Sequence, residues 1–429
     1  MNKKKWRGEI ILSDNNTNGH EQHTAEIGCL EGVRVVDLSQ YEAGPSCTEA
    51  LAWLGAEVVK IERPGNGEPA RYGYARVDAD KDSWYFCQFN ANKKSLTLDI
   101  KSPDGLTLLK QLIEKADIFV ENLSPGTIDR LGLGYDVAEK INPKLIYAQV
   151  KGFGEGGEYE NFLSYDPIAQ AVGGILSVTG ERGGQPCKPG PGIGDTGTGM
   201  TLTISILSAL YRAARTGQGQ RVQVAMQDSC MSYIRLAWAY TQHTGNACGR
   251  HGAKGVNGTT VPQGVFPTKG DGPNDFVILY CHPGVPEQFQ RLLDIIGRPD
   301  LKGDPRFISQ QARVEREDEV NAIISEWTMT RTKKEAMDII GEAKIPVGDV
   351  RDTQDLMNDP DFQNRGLIQT IDHPTLGTIK MVGWPVRHDG AFARIKPAPL
   401  VGENASEVLG NWLDLSPEQI SKYQSDGVI

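Results

Sequence analysis

Apolar runs and amphipathic segments alternate along the first third of the chain. VRVVDLS, which begins at Val33, is a short β-branched run typical of a buried strand. The segment PSCTEALAWLG has helical spacing and ends in glycine, and AEVVKIE then returns as a second strand. The alternation recurs in PDGLTLLKQLIEKADIFVEN and in VAEKINPKLIYAQVKG. This order over residues 33–151 predicts an α/β fold built on a doubly wound parallel sheet.

The rest of the chain does not continue this regular alternation of strands and helices. GDTGTGMTLTISILSALYRAARTGQGQ, from Gly194, predicts a long helix with one apolar face, and the strand RVQVAM follows it. Six glycines between positions 245 and 264 then predict an extended, flexible loop. FVILYC, PEQFQRLLDIIG and the helical stretch from Val320 predict a smaller α+β domain.

A length of 429 residues suggests about two to three domains. We expect a loosely held extension at residues 1–27 and a large parallel-sheet domain at 28–230 and 353–429. A linker with the glycine-containing loop is expected at 231–261, and the small domain at 262–352.

Composition narrows the class of protein. The 45 Lys and Arg residues against 55 Asp and Glu residues give a net charge of −10, so no global field attracts nucleic acid or an anionic membrane. No apolar run reaches about 18 residues, and the early stretch IIL is too short for a signal peptide. Seven cysteines without a CxxC pair indicate neither a disulfide framework nor a zinc site. We therefore expect a cytoplasmic enzyme that holds no metal and has no nucleic-acid or membrane partner.

The turn after the first predicted strand differs from a dinucleotide site. SQYEAGPSCTEA contains only Gly44, whereas GxGxxG uses three glycines to let a pyrophosphate approach the helix. Glu62 ends the second strand, where a ribose-binding acid would lie, but an acid at this point is common to the fold. GxSxG, Walker and HExxH sequences are also absent. The sequence thus disfavours an NAD site, serine hydrolysis and zinc chemistry.

Basic residues recur beside predicted strand ends in this acidic protein. They are Arg63, Arg71, Lys93, Lys94 and Lys101. Loops at the carboxyl ends of parallel strands are the usual ligand sites of such a sheet, and Arg and Lys there can hold phosphates. Ordinary surface charge is the alternative for any single residue.

Asp195 lies between Gly194 and Gly197, immediately before the long predicted helix. The glycines leave space beside its carboxylate and are expected to free several backbone N–H groups, and the helix terminus favours the charged form. An accessible carboxylate suits a nucleophile. A simple helix N-cap, for which Asp is a preferred residue, is the alternative.

Several strings together resemble one family, the class III CoA-transferases (CaiB/BaiF family). The resemblance runs from about Leu30 to the carboxyl terminus, and its strings are GVRVVDLSQYEAGPSCTEALAWLGAEVVKIERPGNGEPAR, NANKKSLTLDIKSPDG, ADIFVENLSPGTIDRLGLGYD, YDPIAQAVGG, GDTGTGM, TGQGQRVQVAMQD and APLVGENASEVL. It implies a Rossmann-like large domain, a small domain and two interlocked chains. It also implies an acyl-CoA and a carboxylic acid as substrates, with no permanently bound cofactor.

The resemblance assigns roles residue by residue. It makes Asp195 the nucleophile and places Tyr165, Asp166 and the loop glycines Gly255 and Gly258 at the substrate site. The positions that it assigns to CoA contact are Glu42, Ala43, Arg63, Leu98, Lys101, Asn122 and Arg130. We expect a homodimer, with a heteromer of related subunits as the alternative.

Two features separate this chain from family members that act on formyl-CoA and oxalate. Those members carry consecutive glycines in the mobile loop, whereas the glycines of KGVNGTTVPQG are isolated, and Asp166 stands where they have Glu. Val256, Thr259, Thr260 and Val261 make the loop more apolar. We therefore expect an acceptor larger and less polar than oxalate, such as a substituted succinate, with formyl-CoA and oxalate as the alternative pair.

Two other functions are compatible with the same fold. An α-methylacyl-CoA racemase needs a His before the acid at this site, and here Tyr165 stands in that position. A phenol exchanges a proton near neutral pH far less readily than an imidazole, so racemisation is disfavoured. A non-catalytic subunit that binds CoA is disfavoured because Asp195 is retained among intact glycines.

Overall fold

The computed structural model describes residues 23–73, 82–256 and 258–429. The described residues divide into two compact units, each formed by several segments of the chain. The first unit comprises the described parts of Met1–Gly173, Gly190–Ser232 and Pro360–Ile429, and the second comprises Gly174–Pro189 and Tyr233–Asp359.

Strands and helices alternate along much of the described chain. The strands are β1 (Thr24–Ala25), β2 (Arg34–Leu38), β3 (Glu57–Glu62), β4 (Lys94–Thr97), β5 (Ile118–Glu121), β6 (Ile146–Lys151), β7 (Gln220–Ala225), β8 (Gln263–Pro267), β9 (Phe276–Tyr280), β10 (Val347–Asp349), β11 (Ile368–His373), β12 (Gly377–Val382) and β13 (Phe392–Ala393). The helices are α1 (Ala43–Trp53), α2 (Trp84–Phe89), α3 (Pro103–Lys115), α4 (Thr127–Arg130), α5 (Tyr135–Ile141), α6 (Asp166–Val172), α7 (Ile175–Val178), α8 (Thr196–Thr216), α9 (Met226–Tyr233), α10 (Arg235–Thr244), α11 (Glu287–Ile295), α12 (Gln310–Glu315), α13 (Glu317–Thr328), α14 (Lys333–Glu342), α15 (Thr353–Asn358), α16 (Pro360–Asn364), α17 (Ala405–Leu413) and α18 (Pro417–Ser425).

A six-stranded parallel sheet forms the centre of the first unit. Its order is β4-β3-β2-β5-β6-β7, with every neighbouring pair parallel. Counted along the chain, this is the 3-2-1-4-5-6 order of the dinucleotide-binding α/β fold. Val36 pairs with Val59 on one side and Phe119 on the other, and all three side chains are buried. The predicted α/β parallel sheet is therefore confirmed.

The edge strand β4 was not identified from the sequence. Its four residues, Lys94–Thr97, pair with Val59–Glu62 of β3, so Lys93 and Lys94 lie at the amino end of a strand. The prediction that these two lysines follow a strand's carboxyl end is wrong. A polar run as short as KKSLT has too little apolar signal to be recognised by periodicity.

Residues close to the amino terminus are more firmly held than the predicted extension at 1–27 implied. Residues 1–22 lie outside the described part of the chain. Thr24–Ala25 pairs in parallel with Phe392–Ala393, and Ile27 is buried beside Leu54 and Ala393. The loosely held segment therefore does not extend to residue 27, because strand pairing and apolar burial fix residues 24–27.

The parallel sheet changes direction of winding between β2 and β5, and one side chain joins the two strand ends there. The backbone N–H of Gln40 donates to Asn122 Oδ1, and Asn122 Nδ2 donates to the Gln40 carbonyl, both at 2.8 Å. Such a topological switch point is where ligands of open α/β sheets bind. The two bonds fix the loop after β2 against the end of β5.

A buried ion pair between Lys60 and Glu68 also holds the loop that follows β2. Lys60 Nζ lies 2.8 Å from Glu68 Oε1 and donates to the Ser39 carbonyl at 3.0 Å. Glu68 Oε2 accepts the Tyr41 backbone N–H at 2.8 Å. Both charged side chains are almost completely buried. Burial would lower the pKa of Lys60, but the carboxylates of Glu68 and Asp37 outweigh it and raise that pKa.

The second unit has its own sheet and core. Strands β10, β9 and β8 form an antiparallel sheet in that order. Its core combines strand residues with helices α11, α13 and α14, as in Phe266, Leu279, Leu292, Ile324 and Ile340.

The boundaries of the compact units differ from the predicted domain bounds. Residues 174–189 and 233–261, predicted as large domain and linker, belong to the second unit. Arg250 explains the first of these, because its guanidinium donates to the Gly184 carbonyl at 2.7 Å and to the Ser177 carbonyl at 3.2 Å. Long-range bonds of this kind carry no pattern in the sequence.

Helix α8 crosses α1 at very short distance. A Cβ added to Gly199 would lie within 3.1 Å of the Cys47 nitrogen and closer still to the Ala43 carbonyl and the Ser46 hydroxyl. Two of these three atoms belong to the backbone of α1. Only glycine therefore fits at this crossing, which places the amino end of α8 against α1.

We expect Gly199→Ala to lower the free energy of unfolding by about 1–3 kcal/mol, because an added methyl overpacks the crossing. The matched control is Gly410→Ala in α17, where an added Cβ meets no atom within 4 Å. There the gain in helix propensity should raise stability by about 0.5–1 kcal/mol. Urea unfolding of both variants checks the prediction, and equal effects would contradict it.

Candidate active site

Asp195 occupies the N-cap position of α8. Its backbone torsions are φ −88° and ψ −73°, its side chain makes no capping hydrogen bond, and it is half-buried. Asp195 therefore occupies the N-cap position, as the alternative interpretation predicted, but its side chain does not act as a cap. The positive end of the helix dipole lies beside this carboxylate and favours its charged form.

The backbone around Asp195 is already hydrogen-bonded. The N–H groups of Asp195 and Thr196 donate to the Gly192 carbonyl at 3.2 and 2.8 Å, and Gly197 donates to Ile193 at 3.1 Å. The Gly194 N–H donates to a side chain, Asp166 Oδ1, at 2.9 Å. The expectation that the glycines free several N–H groups here is wrong, because residues 192–197 already form a helical turn.

Asp166 begins α6 and lies beneath the Asp195 turn. Asp166 is only 8% exposed, and its Oδ1 accepts both the Gly194 N–H and the amide of Gln170, the latter at 2.7 Å. The resemblance assigned Asp166 to the substrate site. Its observed contacts hold the chain that carries Asp195.

Glu42 lies on the other side of the same turn. Its Oε1 accepts the Thr196 hydroxyl at 2.7 Å, and its Oε2 accepts the Tyr85 hydroxyl at 3.3 Å. Burial raises the pKa of Glu42, and the neighbouring charge of Asp166 adds to that shift. Burial together with the charges of Glu42 and Asp195 raises the pKa of Tyr85. Glu42, Tyr85 and Asp195 are thus close enough to interact electrostatically.

Two tyrosines directly precede these carboxylates in the chain, Tyr41 before Glu42 and Tyr165 before Asp166. The Tyr41 and Tyr165 rings meet edge to face at 6.1 Å, and Tyr165 is 60% exposed. Tyr41 has φ +64°, an uncommon conformation for an aromatic residue. The bond from its N–H to Glu68 holds it there. Strain of this kind is typical of functional sites.

The residues assigned to CoA contact gather at one edge of the sheet. They follow the carboxyl ends of four adjacent strands: Glu42 and Ala43 after β2, Arg63 after β3, Leu98 and Lys101 after β4, and Asn122 and Arg130 after β5. Adjacent strands about 4.8 Å apart make this edge roughly 15 Å wide. Arg63, Lys101 and Arg130 are exposed there and present positive charge to solvent.

Two of these residues have buried side chains. Ala43 is the first residue of α1, and Leu98 packs in the core of the sheet. The Leu98 N–H donates to the Glu62 carbonyl at 2.8 Å. A ligand at this edge would meet their backbone rather than their side chains.

Three of the five basic residues predicted to hold phosphates are engaged inside the chain instead. Arg71 is buried and forms a bidentate pair with Glu62 at 2.6 Å. Lys93 is buried and lies 3.1 Å from Asp37 Oδ2. Lys94 pairs with Glu57 and Glu407, both at 2.7 Å. The phosphate prediction is wrong for these three, since their charges are compensated by carboxylates that pattern alone could not pair.

The loop glycines Gly255 and Gly258 lie in the second unit, where Gly255 borders a cavity of about 370 Å³. The cavity is lined by Leu236, Gly255, Val256, Thr260, Gln263, Tyr280 and Pro283. Thr260 and Val261 are buried, and Val261 packs in the core of the unit. The apolar character of these two residues therefore serves folding and gives no evidence about an acceptor acid.

Residues 23–73, 82–256 and 258–429 contain no candidate metal centre and no candidate membrane span. No group of three or more His, Cys, Asp or Glu side chains there could hold a metal ion. None of the helices in those ranges is both long and apolar enough to cross a bilayer.

Sequence reasoning missed Tyr41, Glu68, Tyr85 and Thr196 as parts of the site. Thr196 is adjacent to Asp195 and Tyr41 to Glu42, so adjacency is a signal that could have found them. Tyr85 and Glu68 reach the site only through hydrogen bonds across the fold.

Known proteins resemble this chain over nearly its whole length. The formyl-CoA:oxalate CoA-transferase of Bradyrhizobium sp. (strain ORS 278) is 38% identical over 419 residues, which cover 93% of this chain and 97% of that relative. The formyl-CoA:oxalate CoA-transferase of Afipia carboxidovorans is 37% identical with the same coverage.

Solved structures agree with the sequence relatives. A CaiB/BaiF family protein from Brucella suis superposes with a TM-score of 0.78 at 29% identity, covering 89% of this chain and 98% of that chain. A Mycobacterium tuberculosis protein gives a TM-score of 0.73 at 28% identity, covering 88% and 98%. A family model, CoA-transferase family III, matches residues 30–405. Since that match includes both Asp195 and the sheet edge described above, we conclude that this chain belongs to CoA-transferase family III.

Proposed function

We propose that this enzyme transfers CoA from an acyl-CoA thioester to a carboxylic acid, with Asp195 as the nucleophile. The observation that carries the proposal is the position of Asp195: a half-buried carboxylate at the start of a 21-residue helix, whose side chain is not used as a cap. A carboxylate nucleophile needs accessibility and a charged form at neutral pH.

The reaction requires no metal and no net proton transfer. An Asp195 oxygen attacks the thioester carbon, the C–S bond breaks, and CoA thiolate leaves behind a mixed anhydride. The thiolate then attacks the Asp195 carbonyl, which gives an aspartyl-CoA thioester and releases the donor acid. The acceptor carboxylate attacks that thioester, and the returning thiolate attacks the acceptor's acyl carbon. Asp195 is regenerated, and the acceptor leaves as its CoA thioester.

CoA would lie along the carboxyl edge of β4, β3, β2 and β5. Arg63, Lys101 and Arg130 present exposed positive charge at this edge, and CoA carries phosphate groups. A phosphate ligand would explain why an acidic protein keeps exposed cations at this edge, in contrast to Arg71 and Lys93, which are buried against carboxylates.

The oxyanion of each tetrahedral intermediate needs hydrogen-bond donors. The N–H groups of residues 194–197 are occupied, so they are poor candidates. We expect the donors to come from other groups that approach Asp195 when the substrate binds.

Two acceptor classes have support of different kinds. Relatives 36–38% identical are named formyl-CoA:oxalate CoA-transferases, which favours formyl-CoA and oxalate. The isolated glycines of KGVNGTTVPQG and the presence of Asp166 favour a larger acid such as a substituted succinate. Burial of Thr260 and Val261 removes part of the second argument.

We expect Asp195→Ala to abolish transfer, because the carboxylate that would form the anhydride is then missing. The loss of about 1 kcal/mol in stability that is typical of a removed capping bond is not expected, since the side chain makes no such bond. The control is Asp104→Ala, an exposed aspartate in the first turn of α3. Activity within about tenfold of wild type, a loss of only about 1.4 kcal/mol in transition-state stabilisation, would exclude Asp195 as the nucleophile.

We expect Arg63→Ala to raise the KM for the acyl-CoA donor about tenfold or more, through loss of a charge-assisted bond to phosphate. The KM for the acceptor acid should change much less. Steady-state kinetics with each substrate varied in turn checks this. Arg365→Ala, which removes an exposed arginine paired with Asp361, serves as the control. An equal rise in both KM values would argue against a CoA contact.

A substrate panel separates the acceptor classes. Formyl-CoA and succinyl-CoA are each combined with oxalate, succinate, substituted succinates and larger monocarboxylates, and products are read by mass spectrometry. We expect CoA transfer with at least one pair of acyl-CoA donor and acid acceptor in this panel. The Asp195→Ala variant should show no transfer with that pair. Formyl-CoA with oxalate as the best pair by a wide margin would overturn the larger-acceptor prediction. Racemised acyl-CoA without transfer would instead indicate the racemase alternative, and CoA binding without either reaction the non-catalytic one.

A further inference from the structure

The two residues that flank Asp195 in the chain are each tied to a different carboxylate. Before it, the Gly194 N–H donates to Asp166 Oδ1 at 2.9 Å. After it, the Thr196 hydroxyl donates to Glu42 Oε1 at 2.7 Å. Asp166 begins α6, and Glu42 directly precedes α1. The turn that carries Asp195 is therefore held between the starts of two other helices.

We infer that Glu42 and Asp166 are positioning residues that clamp the chain on both sides of Asp195 and fix the direction of its carboxylate. This role rests on the proposed function of Asp195. It differs from the roles that the family resemblance implied, which were CoA contact for Glu42 and substrate contact for Asp166.

The turn needs external support for a physical reason. Gly192, Gly194 and Gly197 carry no side chains that could pack and hold it, and glycine has the greatest backbone freedom. The Asp195 side chain does not brace the turn through a capping bond. A displacement of about 1 Å at a reacting group can cost on the order of 100-fold in rate. Fixing residues 194 and 196 removes most of that freedom.

Each clamp residue is itself held. Asp166 is 8% exposed, and the amide of Gln170 donates to the same Oδ1 at 2.7 Å. Glu42 receives the Tyr85 hydroxyl on its second oxygen at 3.3 Å. An added side chain at Gly192 would collide with the Glu42 carboxylate, so the turn packs directly on it.

The backbone that carries Glu42 is anchored as well. Gln40 is bonded to Asn122 through both its N–H and its carbonyl, and the Tyr41 N–H donates to the buried Glu68. Glu42 follows these two residues directly. The position of its carboxylate is thus determined by the end of β5 and by the Lys60–Glu68 pair.

A double-mutant cycle between Glu42 and Thr196 tests the inference. With the best donor and acceptor pair of the substrate panel, we expect Glu42→Ala and Thr196→Val each to lower kcat about 10- to 100-fold. The KM for the donor should stay within about threefold, because substrate binding does not depend on the clamp. The double variant should be no slower than the slower single variant, since both changes remove one bond.

Conservative variants separate positioning from a loss of fold. Glu42→Gln keeps an acceptor oxygen and Thr196→Ser keeps the hydroxyl, so both should retain most of the wild-type kcat. The matched control is Glu139→Gln on α5, which removes an exposed carboxylate that also accepts a tyrosine hydroxyl, Tyr135 at 3.2 Å. That control should have wild-type kinetics.

Three results would overturn the inference. The first is a double variant whose fall in kcat is the product of the falls in the two single variants. The second is a rise in the KM for the donor without a fall in kcat. The third is a Glu42→Gln variant as slow as Glu42→Ala. The same assay includes Asp195→Ala, whose full activity would contradict the proposed function itself. In that case urea unfolding of the wild type, the two single variants and the double variant still tests the clamp. Stability effects that add fully would show that no Glu42–Thr196 bond exists.

Discussion

The buried ion pair between Lys60 and Glu68 is the contact on which the candidate site depends. Isolated charges are costly to bury, and such a pair is retained only where both partners also make good hydrogen bonds. Here Lys60 also donates to the Ser39 carbonyl, and Glu68 also accepts the Tyr41 N–H. The pair therefore stabilises one conformation of the loop after β2, including the uncommon left-handed backbone of Tyr41. Removing Lys60 would take away the cation that the buried Glu68 carboxylate faces, and removing Glu68 would leave Lys60 with the more distant Asp37 at 4.0 Å.

A second buried network lies next to the first and serves the same strand end. Burial would raise the pKa of Asp37, but Lys93 and Lys60 lower it, and the hydroxyls of Ser39 and Thr48 add to that shift. Thr48 belongs to α1, so Asp37 joins the end of β2 to the helix that follows the site loop. The cations closest to the sheet edge thus divide into two groups. Those that are buried shape the loop, and those that are exposed, such as Arg63, can meet a ligand.

These constraints explain how distant parts of the chain come to bear on one carboxylate. The glycine at the α1–α8 crossing brings the start of α8 close to α1, and Glu42 lies just before α1. Asp166 reaches the same turn from α6. Asp195 therefore lies in a turn that is bonded to the carboxylates of Asp166 and Glu42, and the dipole of a 21-residue helix favours its charged form. The position of Asp195 and its electrostatic surroundings are therefore fixed by the same packing.

Much of the architecture and the CoA-transferase family could be predicted from the sequence alone. β-Branched runs and amphipathic segments were sufficient for the parallel sheet, because each such element reports its own burial through a local period. Asp195 could be singled out because its neighbours in the chain are glycines and a helix follows. The strand Lys94–Thr97 could not be predicted, since a short polar strand has no local signature. The domain boundary near residue 174 could not be predicted either, since it depends on a loop held by Arg250.

The use of each charge was decided only by the tertiary structure. Arg63 and Arg71 look alike in the sequence, yet one is exposed at the sheet edge and the other is buried against Glu62. Likewise, Glu42 and Asp166 could be named as site residues, but their hydrogen bonds to the two neighbours of Asp195 join segments more than 25 residues apart. A sequence determines which groups can carry charge or donate a hydrogen bond. Which partner each group meets depends on distances that exist only after the sheet and its helices have packed.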